Sequence, residues 1–432
     1  MRETVDFINL NFVFMLELNR IIIIGNGFDL AQGLKTRYEH FINWYWDKKI
    51  IELQNETGDT VDDGLCKFRL LDFNSWKNTL INSRLNDTRF KTKELLDIFH
   101  NNREHIEIKY QKFFGSLIKQ YEDKGWVDIE NMYYKSLTSQ EVAPEELNKE
   151  LNIIKEKLIE YLKEIQCKNI IENTANITAK YLEPFKKEDI AVSSYETFKK
   201  FLSNRLRDTI KMNELVDCYK KLGYYYFNIN HVNNYSTQLD NYLAQRSNCQ
   251  ETEYEYPNEL LIPNRIMLLN FNYTNYADIC FPKVSNKFIV NHIHGSLDRL
   301  NSVIFGYGDE QDETFKVLQK RDDNESLKNI KSIKYLEFPN YKELLAFMES
   351  APYQIYIMGH SCGKSDGTML NTLFEHKNCI SIKPFYYIKD DGTDNYMEII
   401  QNISRNFTDM KLMRDKVVNK THCNCVPKVN SE

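Results

Sequence analysis

Hydrophobic positions along the chain change period from one stretch to the next. Arg20 precedes four consecutive isoleucines, Ile21 to Ile24, and the run ends in Gly25-Asn26-Gly27. An unbroken apolar run of this length suits a strand covered on both faces of a parallel sheet. Tyr38, Phe41, Ile42, Tyr45 and Trp46 then fall three and four apart, the spacing of an amphipathic helix. Strand, glycine turn, helix is the natural reading.

Between positions 50 and 255 the pattern is helical and polar. Leu147, Leu151, Ile154, Leu158, Leu162 and Ile165 recur every three or four residues, with Lys and Glu between them. Phe198, Leu202, Leu206 and Ile210 predict a second helix. Ile106, Tyr110, Phe113, Phe114, Leu117, Ile118 and Tyr121 predict another. Convincing strands are few here, so 51–259 reads as an all-helical insertion without internal repeats.

Short β-branched and aromatic runs return late: Arg265 to Leu269, Phe288 to Val290, Val303 to Phe305, Tyr353 to Met358, and Cys379 to Tyr387 with Pro384 inside it. Helical segments Tyr341 to Met348 and Met369 to Phe374 fall between or after them. With the first strand they make about six strands of one sheet. The expected fold class is therefore α/β, a doubly wound and mostly parallel sheet. Its domain is discontinuous, 1–50 and 260–400, followed by a C-terminal helix and tail over 401–432.

Composition narrows the function classes. A 432-residue chain with 42% hydrophobic and 13% aromatic residues can fill more than one core, which excludes disorder. The net charge of −6 offers no basic stripe for duplex nucleic acid. Nine cysteines scattered from Cys66 to Cys425 lack framework spacing, so they read as reduced thiols in a cytoplasmic protein. His422-Cys423-Asn424-Cys425 reads as a loose tail, since a zinc site needs further ligands at suitable spacing. The start is too interrupted by Glu3, Asp6 and Glu17 to serve as a membrane span or signal peptide. Met15 stands just ahead of the first strand, so 1–14 reads as an extension from an upstream start codon.

Four loops at predicted strand ends carry the candidate chemistry. Gly25-Asn26-Gly27-Phe28-Asp29 lets backbone amides approach a pyrophosphate, or else simply makes a tight turn. Leu30 stands where a third glycine would complete a dinucleotide fingerprint, which argues against an ordinary dehydrogenase. Asn270-Phe271-Asn272-Tyr273-Thr274-Asn275 can hold ribose hydroxyls or water, or cap its own loop. His292-Ile293-His294-Gly295-Ser296 offers an imidazole with an ordinary pKa of about 6.5, suited to proton transfer, and alternation places both His side chains on one face. Gly359-His360-Ser361-Cys362-Gly363-Lys364-Ser365-Asp366 resembles the end of a P-loop, but Met358 occupies the first glycine position, so ribose or phosphate contacts explain it equally well. Asp128 and Glu130, two apart, either cover the pocket or coordinate a metal, or else form a solvated helix end or turn. No metal site is expected.

Taken in chain order these elements resemble the bacteriophage abortive-infection AbiH family. The stretch Arg20-Ile21-Ile22-Ile23-Ile24-Gly25-Asn26-Gly27-Phe28-Asp29-Leu30-Ala31-Gln32-Gly33-Leu34 carries that likeness most specifically. Asn272-Tyr273-Thr274, His294-Gly295 and the Gly359-His360-Ser361 loop with Asp366 fall in the order of sirtuin-like nucleotide domains used in antiphage defence. The resemblance implies a Rossmann-like sheet of sirtuin type and NAD as substrate or ligand. It implies that Gly25, Asn26, Gly27, Phe28 and Asp29 line the cofactor, and that Asn272 and His294 carry the chemistry. Tyr273, Thr274, Gly295, Gly359, His360, Ser361 and Asp366 would complete the contacts. Asn26 departs from the small residue usual between the glycines, and Asp29 from the hydroxyl residue common there. An acidic Asp29 repels a diphosphate unless it turns away or takes a ribose hydroxyl. No four-cysteine zinc module interrupts the late segment, which disfavours deacetylation. The implied reaction is cleavage of NAD to nicotinamide and ADP-ribose, with an NAD or ADP-ribose sensor and a P-loop ATPase as alternatives. A phage-derived or host protein would be the trigger, and the insertion would act as lid, regulator or interface of a homo-oligomer.

Overall fold

A computed structural model describes residues 17–55, 58–71, 92–101, 103–168, 174–202, 205, 261–281, 287–308, 310 and 312–428. In chain order its strands are β1 (Asn19–Ile24), β2 (Thr60–Asp62), β3 (Cys66–Leu70), β4 (Ile106–Tyr110), β5 (Ile266–Asn270), β6 (Phe288–His292), β7 (Tyr353–Met358) and β8 (Cys379–Phe385). Five of them form the central sheet in the order β6-β5-β1-β7-β8, every neighbour parallel. The chain steps outward from β1 through β5 to β6, then returns to the other side of β1 for β7 and β8. Loops at the carboxyl ends of β1 and β7 therefore part at a reversal of winding, where open parallel sheets bind their ligands.

The isoleucines of β1 divide between the two faces, as the two-residue period of a strand requires. Ile21 and Ile23 pack with residues of helices Asn340–Ser350, Gly367–Glu375 and Tyr396–Ser404. Ile22 and Ile24 pack on the opposite face with Phe28 of helix α1 (Asn26–Ala31), and with Ile177, Tyr181 and Tyr276. Helices on both faces are the reason every position of the run is apolar. Pro384 sits within β8, where an edge strand needs no donor on its outer side.

Two expectations about strands are corrected. Val303–Phe305 is buried but forms no strand, because Ile304 N bonds the His294 carbonyl and Ile304 O accepts from the Tyr273 hydroxyl. This leaves five strands in the sheet rather than about six. The insertion is not all-helical either, since β2, β3 and β4 form an antiparallel sheet. Ile106 to Tyr110 alternates apolar and polar residues, so it pairs with β3 as a strand, and the helix begins only at Lys112.

The core of the insertion is shared with the segment after β6, since Leu297, Phe305, Tyr307 and Leu318 join it. The apolar face of helix α2 (Tyr38–Asn55) packs with Val61 and Phe68 of the small sheet. Helices Lys112–Lys124, Ile129–Ser139 and Pro144–Lys168 complete it. The long helix agrees with the predicted period from Leu147 to Ile165. Phe198 and Leu202 lie in a helical segment, 195–202, whereas Leu206, Ile210 and 1–14 lie outside the described residues. No described helix is long and apolar enough to cross a membrane.

Candidate functional site

The carboxyl ends of the parallel strands open into one cavity of about 860 Å³. Twelve of the residues singled out from sequence line it: Gly25, Asn26, Gly27 and Asp29 after β1; Asn272, Tyr273 and Thr274 after β5; His294 after β6; Gly359, His360, Ser361 and Asp366 after β7. Trp126, Asp128 and Glu130 of the insertion line the same space, as do Lys35, Arg37 and His40. Stretches separated by some 250 positions in the sequence thus meet because parallel neighbours end on the same side of the sheet.

Close packing between strand ends explains the glycines. Gly27 N donates to Gly359 O at 2.7 Å, Gly25 N to Met358 O at 3.2 Å, and Phe28 N to Gly25 O at 2.9 Å. Gly359 adopts φ +74°, and a Cβ there would stand 1.9 Å from Phe28 N. The two loops therefore pack backbone to backbone. Three amides that a pyrophosphate cradle would use are already bonded inside the protein. Positive charge in the cavity lining comes instead from the stretch just after the turn, which carries Lys35 and Arg37.

Asn272 and Asp29 tie the β1 and β5 loops together. Asn272 Nδ2 donates to Gly25 O at 3.1 Å, and Thr274 Oγ1 donates to Asp29 Oδ2 at 2.5 Å. Asp29 is almost wholly buried and its Oδ1 has no hydrogen-bond partner among the described residues. Burial pushes its carboxyl up to about 7, against the smaller opposing pull of Thr274 and Asn272. Asn270 acts as the loop cap, with Oδ1 accepting from Asn272 N and Nδ2 donating to Thr274 O.

His294 is the most constrained group. Its Nε2 lies 3.2 Å from Asp366 Oδ1 and 3.1 Å from the Tyr335 hydroxyl, and Phe271 packs edge-on against the ring. Burial, reinforced by the Lys331 charge, lowers its pKa to about 4, so the ring is neutral at pH 7. A carboxylate beside Nε2 accepts that nitrogen's proton, which leaves the lone pair on Nδ1. His360 has both nitrogens engaged: Nδ1 accepts from Cys362 N at 3.0 Å, and Nε2 faces Asp366 Oδ2 at 3.6 Å.

Behind His294 lies a buried charge cluster that sequence reasoning missed. Lys331 Nζ stands 2.9 Å from Asp366 Oδ1 and 3.0 Å from Glu130 Oε2, with the lysine side chain almost completely buried. Burial opposes its charge, but the two carboxylates outweigh that and raise Lys331 to about 12. Asp366 is held well below the usual carboxylate range: burial works against ionisation, and Lys331 with His294 overcomes it. Glu130 is raised to about 7, chiefly by burial. Nothing in the local pattern distinguishes Lys331 from the chain's many surface lysines. Both members of the carboxylate pair line the cavity: Asp128 also caps its helix by accepting from Asn131 N, and Glu130 pairs with Lys331.

Three placements differ from expectation. Phe28 does not line the cavity, because its side chain is wholly buried in the core beneath the sheet. Gly295 does not line it either: it adopts φ +81°, with Ser302 O where a Cβ would go. His292 and His294 do not act on one face, since His292 Nε2 pairs with Asp278 Oδ2 at 2.6 Å and borders a different, very small cavity. Lys364 of the P-loop-like stretch is exposed and outside the cavity lining. Cys423 is buried, its thiol 3.4 Å from Asn419 O. Among the described residues no group of three or more His, Cys, Asp or Glu is arranged to hold a metal. No curated protein and no solved structure matches the chain. The family described as Bacteriophage abortive infection AbiH matches residues 21–387.

Proposed function

The chain belongs to the bacteriophage abortive-infection AbiH family, and from that premise we propose that it is an antiphage effector that binds NAD and hydrolyses it to nicotinamide and ADP-ribose. The observation that carries this reading is the convergence of Asn272 and His294, from neighbouring strand ends, on a cavity of about 860 Å³. That volume lies in the range of ligand pockets. Lys35 and Arg37 would face the diphosphate, in place of the glycine amides bonded to the β7 loop. Finer likeness to a sirtuin domain rests on the order of the site motifs and on the winding reversal beside β1.

The bond between nicotinamide and ribose makes modest demands on side chains. Nicotinamide leaves a cationic pyridinium as a neutral base, so no general acid is needed, unlike ordinary glycoside hydrolysis. The neutral His294 ring accepts a proton from a ribose hydroxyl or the attacking water. Asn272 gives its amide proton to Gly25 O and keeps its carbonyl oxygen to orient that hydroxyl or water. The purified protein, supplied with its phage-derived or host trigger, should release nicotinamide from NAD, followed by chromatography. Asn272→Ala and His294→Ala should each abolish release; absence of release from the triggered wild type would remove catalysis from the reading.

The low basicity of His294 favours a second reading, a sensor that binds NAD or ADP-ribose without turnover. Stoichiometric binding by calorimetry, with NAD recovered intact, would decide for it. In either case the insertion serves as lid, regulator or interface between copies of the chain.

A further inference from the structure

Three separate stretches meet beside His294: Asp366 from the loop after β7 and Tyr335 from the segment between β6 and β7 reach its Nε2, while Lys331 of that same segment bridges Asp366 to Glu130 of the insertion. We propose that Glu130 and Lys331 are positioning residues, which together hold the Asp366 carboxylate against His294 Nε2 so that the proton sits on Nε2 and the lone pair on Nδ1. The proposal rests on His294 being the base of the site. It adds that the insertion supplies a charge without which that base is not properly set.

Charge balance decides the matter, because these groups are largely buried and their interactions are only weakly screened. With His294 neutral, one lysine faces two carboxylates, so the cluster holds one negative charge too many when both are ionised. A proton taken by His294 during reaction would cancel that excess. Glu130 therefore makes the ring a better base, while Lys331 keeps Asp366 ionised and placed to accept from Nε2. A bare Asp366 beside His294 would instead hold the ring as an imidazolium, which has no lone pair to offer. Lys331 prevents this by opposing a second positive charge.

The groups facing Glu130 are Lys331, Asp366, Asp128, Tyr38, Tyr273 and Tyr335. Those facing His294 are Asp366, Lys331, His360 and Tyr335. Burial pushes all three of these tyrosines well above their ordinary range, so they stay neutral near pH 7. Within the cluster Glu130 is the group that titrates there, at about 7. The base should therefore strengthen as pH rises through that value.

The test reads the imidazole directly and needs no turnover, so it can fail or succeed independently of NAD cleavage. The full-length protein is labelled at the histidine ring carbons and nitrogens, and His294 is assigned by difference with His294→Gln. From pH 5 to 8 the wild-type ring should remain neutral with its proton on Nε2, and its resonances should carry an inflection near pH 7 from Glu130. Glu130→Gln should abolish that inflection. Lys331→Met should make His294 take up a proton within the window, and Lys331→Arg should restore the neutral ring. An inflection that survives in Glu130→Gln combined with Asp29→Asn, which removes the other lining group near 7, overturns the proposal even if Lys331→Met fails to fold. So does a Lys331→Met ring that stays neutral in the wild-type tautomer. Where the triggered protein releases nicotinamide, Glu130→Gln should lower kcat at pH 8 by at least about tenfold with little change in KM. A change confined to KM would contradict the positioning role.

Discussion

Single residues in this molecule do several jobs at once, and Asp29 shows how burial sets the terms. It sits on a helix of six residues, anchors the β5 loop through Thr274, and pairs with no cation among the described residues. An ionised carboxylate in that position is costly, which is why its pKa rises to about 7. The folded state then holds a proton that the unfolded chain, with an ordinary pKa of 3.8, releases. Stability from this group is therefore greatest below pH 4, falls as pH rises toward 7, and is level beyond. Asp29→Asn removes the titration, so the variant should gain on the wild type by about 2–3 kcal/mol more at pH 8 than at pH 5. Urea unfolding at both pH values measures it, and an equal difference at both would mean that Asp29 is ionised in the folded protein. Gly359 and Gly295 make a different point at the same scale: each is needed where two backbones meet, and only Gly359 also lines the cavity.

Among the elements, the small antiparallel sheet is the unexpected one. Ile106, Tyr110, Phe113 and Phe114 fit a helical period when read together, yet the first two are the opening and closing residues of a strand and the last two lie in the first turn of a helix. A few alternating residues cannot outvote a longer helical pattern in sequence, and only pairing with β3 reveals them. Asp63 locks this sheet to its neighbours: Lys49 of α2 lies 2.9 Å from Oδ2 and Lys157 of the long helix 3.4 Å, while Oδ1 accepts from Leu65 N and Cys66 N. Burial works against its charge, but Lys49 and these amides prevail and bring it down to about 2. The stabilisation is thus fully present above about pH 4 and is lost as pH falls through 2. Asp63→Ala should cost about 1–3 kcal/mol at pH 7, because it leaves the buried Lys49 with Glu52 alone at 2.6 Å and removes the acceptor of the Leu65 and Cys66 amides. Amide exchange should speed up in β2 to β4 before it does in the parallel sheet; uniform exchange through the chain would deny Asp63 this local role.

At the scale of the whole molecule the cavity lies where sheet and insertion meet, because Gly25, Asn272 and Asp366 line it from one side and Trp126 and Glu130 from the other. The contacts between them are polar and charged as well as apolar: Lys331 reaches Glu130, Asn148 Nδ2 donates to Glu325 O, and Tyr134 stacks on Tyr307 with ring centroids 4.0 Å apart. A ligand held there would tie the two parts together. With NAD at one hundred times its dissociation constant, unfolding free energy should rise by about 2.7 kcal/mol. Calorimetry should show the parallel sheet and the insertion melting in one transition; separate transitions, with only one shifted by NAD, would show that a single part holds the ligand.

The five strands of the parallel sheet, the glycine turn and the loops with candidate chemistry could be read along the chain, because each follows from local period and from the residues that end a strand. Membership of the AbiH family was legible in Arg20 to Leu34 for the same reason. Spatial relations were not. That Phe28 turns into the core, that His292 and His294 part company, and that Lys331 and Glu130 close around Asp366 depend on which backbones pack together. A lysine in sequence is a charge with no address, and burial between two carboxylates from distant segments is what turns it into part of a site.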